Sequence, residues 1–405
     1  MPHIVLLGTC DTKLVELLYL RSQILESGGP TCRITFVDVG RTPSAHEHID
    51  VRQDTIAKEY APESGAKDVS NLPRGEVIRY MIACATKWLA EAYMKGLQDP
   101  DAAIHGCINA GGTGNTSLAS AVMREVLPIG LPKLIVSTNA SGDMGPIVGE
   151  SDVTMMYSVC DIAGLNYLLR RILSNAAGAI AGMAQAYERS IAASPHGMSV
   201  QQKKRVGLTM FGVTTRCVDK IRDHLESYYD IECFVFHQLC GGVMDAGPLR
   251  LEAPLKAGIP YIVSVGATDM VNFGPRSTVP ERYQHRNLYE HNPTVTLMRT
   301  NAEECRAIGD FIVKKVEHYT KDTAQAQVVL PLGGVSMIAT PGGPFHDAEA
   351  DEALFSTVRA GLKGSKVLVV EDDRSINDEG FAVDVAERLV HLMGLSRKDA
   401  AQRTQ

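Results

Sequence analysis

No two of the nine cysteines stand in a CxxC pair. Cys10, Cys32, Cys84, Cys107, Cys160, Cys217, Cys233, Cys240 and Cys305 are scattered along 405 residues. The spacing argues against a structural zinc site and the odd count against a disulfide framework, so a reducing compartment is expected. Long apolar runs are missing too, and none approaches the roughly 20 residues of a membrane-spanning helix. The opening Met1-Pro-His-Ile-Val-Leu-Leu-Gly8 enters a strand at once and leaves no room for a signal peptide. The expected location is the cytoplasm, with no membrane partner. Positive charge is not in excess. The net charge of −7 and a pI of about 6.0 imply no nucleic-acid partner.

What is present suits a soluble globular protein with a large core, 45% hydrophobic and 21% charged. The length fits two or three domains. In the first half His3–Gly8, Arg33–Gly40, a run ending near Gly111, Pro132–Thr138 and Val153–Tyr157 read as short strands. Leu14–Ser27, Arg74–Leu97, Leu118–Glu125 and Leu165–Tyr187 carry helical periodicity. Repeated strand–loop–helix units predict a mainly parallel sheet with helices on both faces. Arg41–Leu72 is polar and reads as an excursion over the sheet, with Glu59–Gly65 folding toward a ligand mouth.

In such sheets ligands bind outside the strand C-termini. One predicted tip is unusual. Gly111, Gly112 and Gly114 lie among Thr113, Asn115, Thr116 and Ser117, between a strand and a good helix. Glycines let amides approach an anion, and a helix start adds free donors and a favourable dipole. No Lys follows, so this is not a Walker A loop, and the spacing is not GxGxxG. A tight turn with a Ser or Thr N-cap is the bland alternative. Three glycines and four small polar residues in seven positions exceed what a cap needs. Gly8, Thr9, Thr12 and Lys13 fall at the first strand tip, Asp38 and Gly40 at the second, and Ser137 and Thr138 at a third. Lys13 could neutralise a phosphate. It could equally be a solvated helix-start lysine. Asp38 stands where nucleotide folds place a ribose-binding acid, although a turn cap explains it as well. Thr113, Thr116 and Ser117 could donate hydroxyls or touch magnesium.

After a small, polar and basic stretch near residues 192–204 the chain starts again. Arg205–Gly212 is a strand, Val213-Thr-Thr-Arg-Cys217 a polar turn, Val218–Tyr228 a helix and Glu232–His237 a second strand. The expected fold class is α/β, with two Rossmann-like domains at 1–195 and 204–405. In the second, His237, Asp269 and His291 are the catalytic candidates, with Asn272 and Asn292 nearby in sequence, because a His beside an Asp can act as a general base. A hydrogen-bonded structural role at a strand end is the alternative. Asp347, Glu349 and Asp351 could bind a metal or cap a helix, and no metal site is assigned. One join looks too short. Between His237 and the strand at Tyr261 there is space for a short crossover helix, which needs about a dozen residues, but not for a further strand and helix.

The motifs resemble a known family. Gly111-Gly-Thr-Gly-Asn-Thr-Ser-Leu-Ala-Ser120, Ser151-Asp-Val-Thr-Met-Met-Tyr-Ser158, Asp269-Met-Val-Asn-Phe273, His291-Asn-Pro-Thr-Val-Thr-Leu-Met-Arg-Thr300 and Pro341-Gly-Gly-Pro-Phe345 look like the Tm-one-like ATP-binding domain family, named for a plant tobamovirus resistance protein. The resemblance spans nearly the whole chain. It implies two Rossmann-like domains and ATP binding with Mg2+. Two departures stand out. Ser375 precedes Ile376-Asn377-Asp378 where the family tends to have His. A Gly-rich loop and a further strand–helix unit expected after His237 are missing, through a real loss or through omission from the sequence.

Three functions compete at this point. The first is an ATP-binding protein, the second an enzyme working on a phosphorylated or carboxylate small metabolite in a cleft between the domains, and the third an ATP-stabilised protein-interaction module. A homodimer or larger homo-oligomer is expected.

Overall fold

The computed structural model describes residues 1–63, 65–193, 203–237 and 247–398, without the side chains of Ala193, Phe236 and His237. Most of the expected linker and the short join after His237 therefore lie outside the described residues. The chain divides into two compact units, Met1–Met198 and Ser199–Gln405.

The first unit runs β1 (His3–Gly8), α1 (Cys10–Gly28), β2 (Arg33–Asp38), α2 (Gln53–Glu59), α3 (Arg74–Gln98), β3 (Gly106–Gly111), α4 (Thr113–Val126), β4 (Lys133–Ser137), α5 (Gly145–Val148), β5 (Val153–Tyr157) and α6 (Tyr167–Ala193). All five strands are parallel, in the order β2-β1-β3-β4-β5. Side chains alternate between the faces of a strand, and here both faces are covered. Val5 and Leu7 enter one core with Met81, Leu89 and Leu118 from α3 and α4. Ile4 and Leu6 enter another with Leu17, Leu20, Leu173 and Ile180 from α1 and α6. That is why these strands read as unbroken apolar runs. The 41–72 excursion is less polar in effect than its composition suggests. Ile49, Ile56, Ala57 and Val69 are buried, and Val51 bridges to Val37.

The second unit runs β6 (Lys204–Met210), α7 (Thr215–Tyr228), β7 (Ile231–His237), α8 (Glu252–Ala257), β8 (Tyr261–Val263), β9 (Met270–Phe273), β10 (Leu288–Asn292), β11 (Val295–Arg299), α9 (Ala302–Tyr319), β12 (Ala326–Pro331), α10 (Ala348–Gly361), β13 (Leu368–Asp372) and α11 (Glu379–Met393). Its parallel strands fall into two pieces, β6-β7 and β13-β12-β8. The antiparallel sheet β10-β11-β9 was not expected from the sequence. Its hairpin turns at Asn292-Pro293, where Asn292 Oδ1 accepts from the Thr294 amide at 2.9 Å, the signature of an Asx turn. Asn301 and Glu304 form a reciprocal capping box at the start of α9, as their spacing implies.

Candidate functional site at the strand tips

In the first unit the strand order reverses between β1 and β3, since β1 carries β2 on its other side. A doubly wound sheet opens a crevice at such a point, outside the strand C-termini. The register sets Leu7 beside Asn109 and Gly8 beside Asp38, while Gly111 pairs with Ser137. The expected residues at the tips of β1, β2, β3 and β4 are therefore neighbours. What each side chain does there differs.

Helix α4 begins at Thr113 with Gly112 as its N-cap and no side-chain cap. Its first intrahelical bond runs from the Thr116 amide to the Gly112 carbonyl at 2.9 Å. The amides of Thr113, Gly114 and Asn115 precede it and have no partner within the helix. Gly112 and Gly114 are half-buried, Thr113 is exposed and Ser117 half-buried. A β-carbon on Gly112 would meet nothing nearer than Thr138 Oγ1 at 3.8 Å. Beside Gly114 lies the guanidinium of Arg74, whose Nη2 would be 3.3 Å from a β-carbon there. Arg74 was not among the sequence candidates. It starts α3, 40 residues before Gly114, and only folding brings it to the loop.

The other glycine has a different role. A β-carbon on Gly111 would fall 2.1 Å from Asn115 Nδ2. Asn115 points inward and donates to the Ala110 carbonyl at 2.9 Å, while its Oδ1 accepts from Asn109 Nδ2 at 3.0 Å. Asn109 also donates to the Leu7 carbonyl at 2.8 Å, and its Oδ1 is buried without a partner. Thr116 Oγ1 donates to Ser137 Oγ at 2.8 Å, and Ser137 accepts the Asn139 amide. Asn115, Thr116 and Ser137 are buried and spent on shaping the turn.

The start of α1 is occupied by the protein's own carboxylates. Asp38 Oδ1 accepts from the amides of Cys10 at 3.1 Å and Gly40 at 2.9 Å, and Oδ2 accepts from Ser44 at 3.2 Å. Asp38 is fully buried, and burial pushes its carboxyl above the ordinary range against the pull of those amides. It serves as the cap of α1. Asp11 stands beside it, with Oδ2 accepting from the amides of Arg41 and Thr42. A β-carbon on Gly40 would strike Asp11 Oδ1 at 2.7 Å, and one on Gly8 would strike Leu17 Cδ1 at 2.3 Å. Both glycines are demanded by packing. Thr12, exposed, and Thr9 and Lys13, half-buried, remain on this side of the crevice.

The second unit does not bring His291 to Asp269. His291 is exposed at the hairpin end of β10, whereas Asp269 lies just before β9, at the opposite end of that sheet. The side chain of His237 lies outside the described residues. Asp269 is fully buried, accepts from Ser336 Oγ at 2.7 Å and has an unpartnered Oδ1. Burial pushes its carboxyl up to about 6, against the pull of Ser336 and the nearby Arg299. Ser336 Oγ in turn accepts from the amides of Ile338 and Ala339, both at 3.2 Å. Asn272 is also fully buried, with neither polar side-chain atom partnered. The backbone before Asp269 is left-handed at Val265 (φ 46°) and Ala267 (φ 57°), conformations that non-glycine residues adopt only under strain. The acidic group after Pro341-Gly-Gly-Pro344 is engaged elsewhere. Asp347 caps α10 through the Ala350 amide, and Asp351 pairs with buried Arg299 at 2.6 Å. Among the described residues no cluster of three or more His, Cys, Asp or Glu is placed to hold a metal ion.

Sequence profiles of the uncharacterised protein family UPF0261 match both halves. The N-terminal domain profile covers residues 2–189, and the C-terminal one covers 203–239 and 237–393. The chain belongs to the UPF0261 family. A UPF0261 protein of Clostridium tetani is 40% identical over 423 residues, covering 96% of this chain and 98% of its own. One from Mesorhizobium japonicum is 40% identical over 420 residues, covering 95% and 98%. The tomato ToMV susceptible protein tm-1(GCR26) is 34% identical over 428 residues, covering 94% of this chain but 54% of its own. The family thus includes the plant proteins to which the motifs point, and the match takes in little more than half of the plant chain.

Proposed function

We propose that the crevice between β1 and β3 binds the phosphates of a nucleotide, and that the nucleotide is ATP carried with Mg2+. The reading rests on one observation. At the reversal of strand order, the first turn of α4 presents, beside Arg74, amides with no partner within the helix, and among the described residues no carboxylate is bonded to it. Positive partial charge at a helix start and a neighbouring guanidinium favour an anion. The corresponding end of α1 is already taken by Asp38. Thr113 and Ser117 supply hydroxyls, Thr138 closes the β4 side, and Thr9, Thr12 and Lys13 close the other. Magnesium would ride on the phosphates with help from hydroxyl oxygens.

Calorimetric titration of ATP, with and without magnesium, on the wild type and on Gly112→Val tests this. Gly112 has φ −81° and open space around it, so valine leaves the fold intact while filling the room a phosphate needs. Binding by the wild type and none by the folded variant is the expected result. Equal binding by both would move the nucleotide elsewhere.

A second reading is favoured by the unpartnered Oδ1 of Asp269 and the unpartnered carboxamide of Asn272, which would serve an enzyme acting on a small metabolite, with Asp269 as its base. Asp269→Asn would then spare ATP binding and remove turnover. A homodimer or larger assembly is proposed for either reading, and sedimentation velocity checks it.

A further inference from the structure

In the second unit a cleft of about 250 Å³ opens where the turn after β12 meets the start of α10. Leu332, Ala339, Pro341 and Phe355 give it an apolar lining. Gly333 and Gly334 line it as well, and their turn has little freedom to shift. A β-carbon on Gly333 would strike the Ser375 amide nitrogen at 2.6 Å, and Gly334 has φ 133°. The polar side chains of the cleft are His346, Asp351 and Glu352. Its volume is below that of pockets that take drug-sized molecules, so a fitting ligand is small.

The charge of the cleft is set by Asp351, a residue only 7% exposed. Its Oδ1 accepts from Arg299 Nη2 at 2.6 Å. Among the described residues its Oδ2 takes no hydrogen bond, yet that atom is not sealed from solvent. Burial pushes the carboxyl up, and Arg299 pulls against that shift without cancelling it. A buried carboxylate with one oxygen bonded and the other open is held for a further donor. Glu352 is exposed beside it. Its Oε1 accepts from Arg359 Nη1 at 3.1 Å, and its Oε2 has no partner among the described residues. An anion does not suit this helix start. Asp347 already caps it through the Ala350 amide, and Glu349 lies in its first turn. The start of α4, with no carboxylate in its first turn, is the opposite case.

We propose that this cleft binds a small primary amine, with the ammonium on Asp351 Oδ2 and Glu352 Oε2 and the apolar remainder against Leu332 and Phe355. An ammonium carries three donors. Two meet the carboxylates, and the third can go to the ring of His346 in its neutral form. Arg299 fixes the orientation of Asp351 before the ligand arrives, which lowers the cost of ordering the site. The site lies wholly in the second unit and depends neither on the nucleotide reading nor on Asp269 as a base.

Ligand-observed NMR titration of the full chain with benzylamine, benzyl alcohol and benzoate tests this. The three probes share a shape and differ in charge. Benzylamine should bind at least about tenfold more tightly than either of the others, as expected for charge-assisted contacts. Ala348 is exposed and lines the cleft, so Ala348→Trp fills it from outside and should abolish benzylamine binding. Glu352→Gln, an exposed change, should weaken binding about threefold. Asp351→Asn keeps the shape of the side chain and should weaken it at least about tenfold. If circular dichroism shows Asp351→Asn unfolded, the other two variants decide. Absence of benzylamine binding overturns the proposal, and so does equal affinity for the three probes or a preference for benzoate. Benzylamine binding that survives Ala348→Trp overturns it too, because the amine then sits elsewhere.

Discussion

Asn109 Nδ2 donates to Asn115 Oδ1 at 3.0 Å, and Asn115 Nδ2 passes the link back to the Ala110 carbonyl at 2.9 Å. Two buried carboxamides thus clamp the glycine turn onto β3, and Gly111 is glycine because Asn115 fills the space beside it. Asn115→Ala leaves a buried donor and a buried carbonyl unmet and should cost about 2–3 kcal/mol in urea unfolding. Gly111→Ala should cost a similar amount by forcing Asn115 out of place. A loss below about 0.5 kcal/mol in either would mean that the clamp does not hold the loop.

Arg74 is exposed, and its guanidinium lies beside Gly114. Arg74→Ala should change stability by no more than about 0.5 kcal/mol. It should weaken ATP binding about tenfold, as expected for one charge-assisted contact to phosphate. Arg74→Lys should recover only part of this, since a point charge replaces a planar fork. Unchanged affinity in Arg74→Ala would place the phosphates away from α4.

Asp269 gives stability a defined pH dependence. Its carboxyl stands at about 6 in the fold, against an ordinary 3.8. The folded state therefore binds the proton more tightly, so its contribution is full below about pH 4 and is lost as pH rises through 6. A difference of that size corresponds to about 3 kcal/mol. Relative to the wild type, Asp269→Asn should gain about that much between pH 4 and pH 7.5 in paired denaturant titrations. A constant difference across that range would show that Asp269 titrates normally.

The Arg299–Asp351 pair is buried on both sides, with 3% and 10% of the side chains exposed. Asp351→Ala leaves a buried guanidinium without its carboxylate and should cost about 3–5 kcal/mol. Replacing both charges by apolar side chains, Arg299→Met together with Asp351→Leu, should cost less than the single change. Additive losses in the double-mutant cycle would mean that the two charges are not coupled.

Much of this was legible in the chain itself. Apolar runs such as Ile4–Leu7 and Leu134–Val136 announce strands covered on both faces, because a parallel sheet under two helix layers hides side chains on both sides. Gly112 and Gly114 between such a strand and a helix mark the turn. The short distance from His237 to Tyr261 was readable as well, since a parallel crossover has a minimum length.

Roles within the cluster were settled only by the tertiary structure. Of the clustered glycines, Gly111 is required by Asn115 and Gly112 has open space, a difference that depends on one side chain turning inward at the first turn of α4. Asp38 looks like a ribose acid from its strand-tip position, yet it caps α1, because the register puts it next to Gly8 and the amides of Cys10 and Gly40. Asp269 and His291 are 22 positions apart in the chain and end at opposite ends of one small sheet. Arg74 meets Gly114 from the start of another helix. Sequence determined which segments are strands and helices, since local periodicity carries that information. Which polar atoms remain free for a ligand was decided by packing between segments distant in the chain, and no local pattern encodes it.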